Sequence, residues 1–184
     1  MRALDALADW PVPNVAAAVV GQTGVLESYG DTTRRFALAS VTKLLAARAA
    51  QVAVEEGAME LDAGAGPPGS TVRHLLAHTA GYDMQSAKVL AEPGVRRIYS
   101  NHGFAVLAEV LERESSIAFD AYLAESVLEP LGMADTILDG GAQAAGYGAT
   151  STVDDLSAFA GDLLAPAIVS GQMHQEATTV QFPG

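Results

Sequence analysis

The chain contains no cysteine, which removes disulfide scaffolds, thiol nucleophiles and cysteine-held zinc from consideration. Aromatic residues are scarce, at 6% of the 184 residues, although 49% of the chain is apolar. Alanine supplies much of that apolar count, so the core is expected to consist of close-packed helices with small side chains. Positive charge is also scarce. Ten Lys and Arg face 22 Asp and Glu, for a formal net charge of -12, and only two of the ten are lysines. Arg34–Arg35 and Arg96–Arg97 are isolated pairs rather than a stripe, so neither nucleic acid nor an anionic membrane is an expected partner. No apolar run is long enough to span a bilayer. Asp5 and Asp9 interrupt the stretch Met1 to Trp10, which therefore does not read as a signal peptide, and the default expectation is a cytoplasmic protein.

The length suits one domain, or one domain carrying an inserted lobe. A short helix is expected at 3–9, stopped by Pro11 and Pro13. Val15 to Val20 reads as a buried strand and Val25 to Tyr29 as its hairpin partner. From Val41 to Glu56 the chain is rich in Ala and Leu and free of Pro and Gly, which predicts a helix capped by Gly57. The Gly/Pro-rich stretch Gly64 to Gly69 is the best boundary. It divides the chain into 1–67, holding the hairpin and the first long helix, and 68–184, a helical lobe. Further helices are expected from Ser70 or Thr71 to His78, from about His102 to Arg113, from about Phe119 to Leu128, and from Thr152 to Leu164. The only strands in this reading are those of the hairpin. Two strands do not make a stable sheet, so further strands, from a C-terminal half or a second chain, are expected to complete it.

Two short segments could carry chemistry. In Ser40-Val41-Thr42-Lys43, a serine at a helix start has a lysine three residues on, and positions i and i+3 share a helix face. A serine hydroxyl needs a base to become a nucleophile, and a lysine serves as one when its amine is unprotonated. Val41, Leu44 and Leu45 are the expected apolar surroundings. The helix N-terminus offers N–H groups to a developing oxyanion. Taken alone, the same residues also fit an N-cap serine followed by a solvent-facing lysine. The second segment, Tyr99-Ser100-Asn101, lies in an irregular stretch before a helix. A tyrosine can shuttle a proton when cations stabilise its phenolate, and an asparagine can hold both a lysine and a substrate carbonyl. Ser100 or Asn101 as an N-cap, with Tyr99 packed beneath, is the plainer reading of that segment.

Together the segments resemble the superfamily of serine β-lactamases, penicillin-binding proteins and esterases, in its class C-like branch. The interval from Ser40 to Tyr99 matches that branch. So do Phe36-Ala37-Leu38-Ala39 ahead of the serine, Leu75-Leu76-Ala77-His78-Thr79-Ala80-Gly81, and Leu128-Glu129-Pro130-Leu131-Gly132-Met133. The resemblance covers about Val15 to Leu164. It implies an α+β fold of the β-lactamase/transpeptidase type, here dominated by the helical lobe with an incomplete antiparallel sheet. It also implies an acyl-enzyme at Ser40, formed on a small-molecule or peptide substrate: an ester, an amide, a β-lactam or a D-alanyl peptide. Lys43 would activate Ser40, Tyr99 would act as acid and base, and Asn101 would orient Lys43 and bind the acyl amide. The Ser40 N–H would be one oxyanion donor.

One departure stands out. The family's third motif, Lys or His followed by a small residue and Gly, has no counterpart, since His78, Lys88 and His174 all lack the glycine two residues on. A catalytically idle homologue or fragment that binds a ligand or a partner chain is therefore the alternative function. His74 and His78, four apart, have zinc-binding spacing, but Leu75 stands where a metalloprotease needs Glu. No metal and no cofactor is expected. Gly140-Gly141 and Gly146-x-Gly148 lack the strand-to-helix setting of a nucleotide loop.

Overall fold

A computed structural model describes residues 3–183. A 3-10 helix, Ala3–Asp9, precedes the hairpin of β1 (Ala17–Gly21) and β2 (Gly24–Tyr29). The strands pair antiparallel from Ala17 opposite Tyr29 to Gly21 opposite Gly24, with a shift in register between Val19 and Val20. β1 is half-buried rather than fully buried as its apolar run suggests, and Val25 and Leu26 of β2 face solvent.

Three further strands correct the expectation that the hairpin stands alone. β3 (Phe36–Ala37), β4 (Ile137–Leu138) and β5 (Ala149–Ser151) form a second antiparallel sheet in the order β3-β5-β4. Each is two or three residues long, too short for an alternating pattern to stand out in a sequence. The pairing of Phe36 with Ser151 brings the chain just ahead of Ser40 against a segment more than a hundred residues away.

The helices are α1 (Thr42–Glu55), α2 (Val72–Leu76), α3 (Asn101–Ser115), α4 (Phe119–Leu123), α5 (Val153–Leu164) and α6 (Gly171–Thr178). Helix α1 follows a 3-10 turn, Ala39–Val41, and α4 runs on into a π-helical turn, Ala124–Leu128. Gly57, one residue past the C-cap of α1, has a φ of +75°, as its C-cap assignment requires. Thr152 caps α5 by accepting the Asp155 N–H at 3.1 Å. Helix α6 went unread in the sequence because it opens on glycine and lacks an apolar face. Arg73 of α2 holds it through Glu176, and holds the chain just beyond it through Gln181.

Helix α1 forms the centre of the helical layer, against α3, α4, the π-helical turn and α6. Its alanines at 46, 49, 50 and 53 are buried and let neighbouring backbones approach closely. Phe104, Leu107, Leu111, Phe119, Leu123 and Val127 fill the space around them. This one core takes side chains from both sides of Gly64 to Gly69. Helix α5 packs on the hairpin. No helix among the described residues is long and apolar enough to cross a membrane.

One ion pair lies inside this packing. Arg48 Nη2 of α1 approaches Asp162 Oδ2 of α5 at 2.9 Å, with both side chains at most 2% exposed. Charge couples them rather than an aligned hydrogen bond. Asp162 Oδ1 accepts the Ala167 and Ile168 N–H groups, which anchors the chain after α5. Removing one partner of a buried pair leaves an uncompensated charge. Arg48→Ala is therefore expected to lower unfolding stability by about 3–5 kcal/mol in urea titrations; a change below about 1 kcal/mol contradicts this role.

Candidate active site

Ser40 lies in the 3-10 turn just before α1, exposed at the surface. Ala39, the residue before it, has a φ of +45°, a left-handed conformation unusual for alanine. Thr42 holds the turn in place. Its buried hydroxyl donates to Ala39 O at 2.7 Å and accepts the Ala149 N–H of β5 at 3.1 Å. Leu38 N donates to Ala149 O at 2.9 Å. The second sheet therefore serves as a mount for Ser40, and the strained Ala39 conformation persists because both flanks are tied down.

Lys43 is 5% exposed, so the solvent-facing lysine of the plainer reading does not hold. Its Nζ lies 2.6 Å from Asn101 Oδ1, 2.7 Å from Gly146 O and 3.3 Å from Ser40 Oγ. The expected apolar surroundings are also corrected. Val41 and Leu44 point to solvent, and only Leu45 is buried. Aromatic rings line the amine instead, with the Tyr99 centroid at 4.5 Å and the Phe104 centroid at 5.7 Å. A cation over a ring face is attracted by the ring's quadrupole.

Tyr99 is 44% exposed, and its ring lies near both Lys43 Nζ and the His78 ring. Burial pushes its phenol up, but Lys43 and Ser40 outweigh that effect and hold it below the ordinary phenol value. Ser100 is the N-cap of α3, accepting the Gly103 N–H at 2.9 Å, so the capping reading of this segment holds for Ser100. Asn101 opens α3 and points Oδ1 at Lys43, while its Nδ2 donates to Gln85 Oε1 at 3.2 Å. The structure thus brings Ser40, Lys43, Tyr99 and Asn101 together.

His74 and His78 do not converge on a metal. His74 Nδ1 sits 2.8 Å from Thr71 Oγ1, and His78 Nδ1 accepts the Ser100 N–H at 3.2 Å. No group of three or more His, Asp or Glu among the described residues is placed to hold an ion.

Three residues of the site escaped sequence reasoning. Phe104 lies one turn along α3 from Asn101, and that i, i+3 spacing could have pointed to it. Gln85 carried no signal. Gly146 was weighed only as part of a nucleotide loop, whereas its role is a carbonyl aimed at Lys43 and a close approach to α3. A Cβ built there would lie 3.3 Å from both Cα and Oδ1 of Asn101.

The arrangement has a chemical consequence. A neutral amine has two N–H donors and one lone pair. Asn101 Oδ1 and Gly146 O are the two nearer acceptors, so they satisfy the two N–H groups and leave the lone pair for the Ser40 hydroxyl proton. In the ammonium form the third N–H donates to Ser40 Oγ instead.

A family model described as Beta-lactamase matches residues 6–184. A β-lactamase from Mycobacterium bovis superposes with a TM-score of 0.98 at 68% identity, covering 100% of this chain and 67% of that one. An octameric penicillin-binding protein homologue from Pyrococcus abyssi gives 0.79 at 21% identity, over 94% of this chain and 57% of that one. A penicillin-binding protein from Bacillus halodurans gives 0.81 at 21% identity, over 95% and 76%. The two more distant likenesses speak to the fold alone. A comparison with curated proteins finds no match.

Gly146→Ala tests the mount of Lys43 and Asn101. The added methyl group forces Asn101 to shift by a few tenths of an ångström. Acylation of Ser40 by an activated-serine probe is expected to slow by about tenfold while the thermal transition stays in place; an unchanged rate contradicts the role given to this close approach.

Proposed function

Because the chain belongs to the beta-lactamase family, whose members are serine hydrolases, we propose that it forms an acyl-enzyme at Ser40 on an ester, amide, β-lactam or D-alanyl peptide. The observation that carries this reading is the triple contact of Lys43 Nζ with Ser40 Oγ, Asn101 Oδ1 and Gly146 O. In the reaction, Ser40 Oγ attacks the substrate carbonyl carbon as its proton passes to Lys43 Nζ. The Ser40 N–H donates to the oxyanion that forms. Asn101 Nδ2 exchanges Gln85 for the acyl amide oxygen. Collapse of the tetrahedral intermediate breaks the bond to the leaving group, which takes a proton from Tyr99. Water then attacks the ester at Ser40, losing its proton to the Tyr99 phenolate, and the acid departs as Ser40 Oγ takes back its proton from Lys43.

A catalytically idle member that binds a ligand or partner chain is the second reading. The residues given hold no Lys/His-small-Gly triplet, and they span 57% to 76% of the relatives described above.

Intact mass after parallel incubation with a fluorophosphonate and a penicillin separates the readings. One covalent adduct per chain, absent in Ser40→Ala, is expected. No adduct on folded protein favours the idle reading. The pH dependence of deacylation is a second test. Tyr99 acts in this step as its phenolate, so the deacylation rate rises with pH and levels off below the ordinary phenol range, because Lys43 and Ser40 lower that group. Tyr99→Phe should lose this limb; an identical profile in the variant removes Tyr99 from the mechanism.

A further inference from the structure

The segment carrying Tyr99 and Asn101 has no regular secondary structure before α3 begins, yet both side chains must be held against Lys43. One residue grips it at three points. The His78 carbonyl accepts the Ile98 N–H at 2.8 Å. His78 Nδ1 accepts the Ser100 N–H at 3.2 Å. Between these two bonds, the imidazole lies 4.5 Å from the Tyr99 ring and 5.1 Å from Phe104, centroid to centroid. His78 itself has a φ of +58°, a conformation adopted at the close of α2 that turns its carbonyl and ring toward the same strand of chain. Other hydrogen bonds hold its two ends, with Gly94 N donating to Thr79 O at 2.8 Å at the near end. Ser100 Oγ donates to Asp83 O at 2.7 Å and Asn101 N to Met84 O at 2.8 Å, and neither contact touches Tyr99.

Resting on the reading of Tyr99 as the acid and base, we propose that His78 is a positioning residue for it: a neutral imidazole whose Nδ1 fixes the Ser100 backbone and whose ring fixes the Tyr99 ring against Lys43. The tautomer follows from the contact. Nδ1 accepts from a backbone N–H, so the proton resides on Nε2. The setting keeps the ring neutral. Burial, with the Lys43 and Arg97 charges adding to it, pushes His78 down to about 4. A positively charged imidazole would lose the acceptor and repel Lys43.

Two substitutions separate the parts of this role. His78→Phe keeps a ring beside Tyr99 and removes the acceptor. His78→Asn places an acceptor oxygen near the Nδ1 position and tolerates a positive φ. Acylation by the fluorophosphonate is expected to slow by about 10- to 100-fold in His78→Phe, the scale of a misplaced reacting group, with His78→Asn recovering at least part of that loss. The Tyr99 phenol, isolated by subtracting the ultraviolet titration of Tyr99→Phe, should move back toward the ordinary value in His78→Phe. Wild-type rates and an unmoved Tyr99 titration in His78→Phe overturn the proposal. If His78→Phe does not fold, nitrogen NMR of the unaltered protein decides: the neutral Nε2–H tautomer near pH 7 supports it, and the Nδ1–H tautomer or an imidazolium overturns it. Should Ser40→Ala and Tyr99→Phe both leave labelling unchanged, it is the reading of the site that fails. A slow Tyr99→Phe beside a fast His78→Phe rejects the positioning role alone.

Discussion

A lysine amine withdrawn from water must find acceptors for its protons, and at Lys43 two of them come from distant parts of the chain. Asn101 is 58 positions away and Gly146 is 103. Neither contact exists unless α3 and the turn before β5 are both packed against α1. Much of the fold answers that demand. The alanines of α1 let α3 come close, Thr42 ties the start of α1 to β5, and the three-stranded sheet carries both Leu38 and Ala149 to the same place.

The same packing separates rigidity from access. Lys43 is enclosed by Tyr99 and Phe104, while Ser40 and the outer edge of Tyr99 remain open. In the proposed reaction Ser40 has to meet its substrate as the nucleophile, while Lys43 as its base works best held in one orientation. The left-handed Ala39 is consistent with this division, since it turns the serine outward at a point where both neighbours are fixed.

How much of this was legible before the structure depends on how local the signal was. Helix α1, the Thr152 cap and the hairpin follow from propensity and turn chemistry within a dozen residues. Ser40, Lys43, Tyr99 and Asn101 were found because their order and spacing resemble a family, not because any physical rule joins residue 43 to residue 101. The short strands β3, β4 and β5 were missed because their stability comes from pairing with each other. Gly146 was missed for a related reason. A backbone carbonyl is present at every residue, and only tertiary packing selects the one that meets a lysine.

The central claim is that Lys43 and Asn101 work as one unit on Ser40. A double-mutant cycle on the rate of Ser40 acylation tests it most directly, using Lys43→Ala, Asn101→Ala and the double variant. With the fluorophosphonate, which has no acyl amide for Asn101 to bind, strong non-additivity is predicted, the double variant being little slower than Lys43→Ala alone, because removing the amine leaves Asn101 with nothing to orient. Losses that simply multiply would mean that the two residues act independently and that their 2.6 Å contact plays no part in the chemistry.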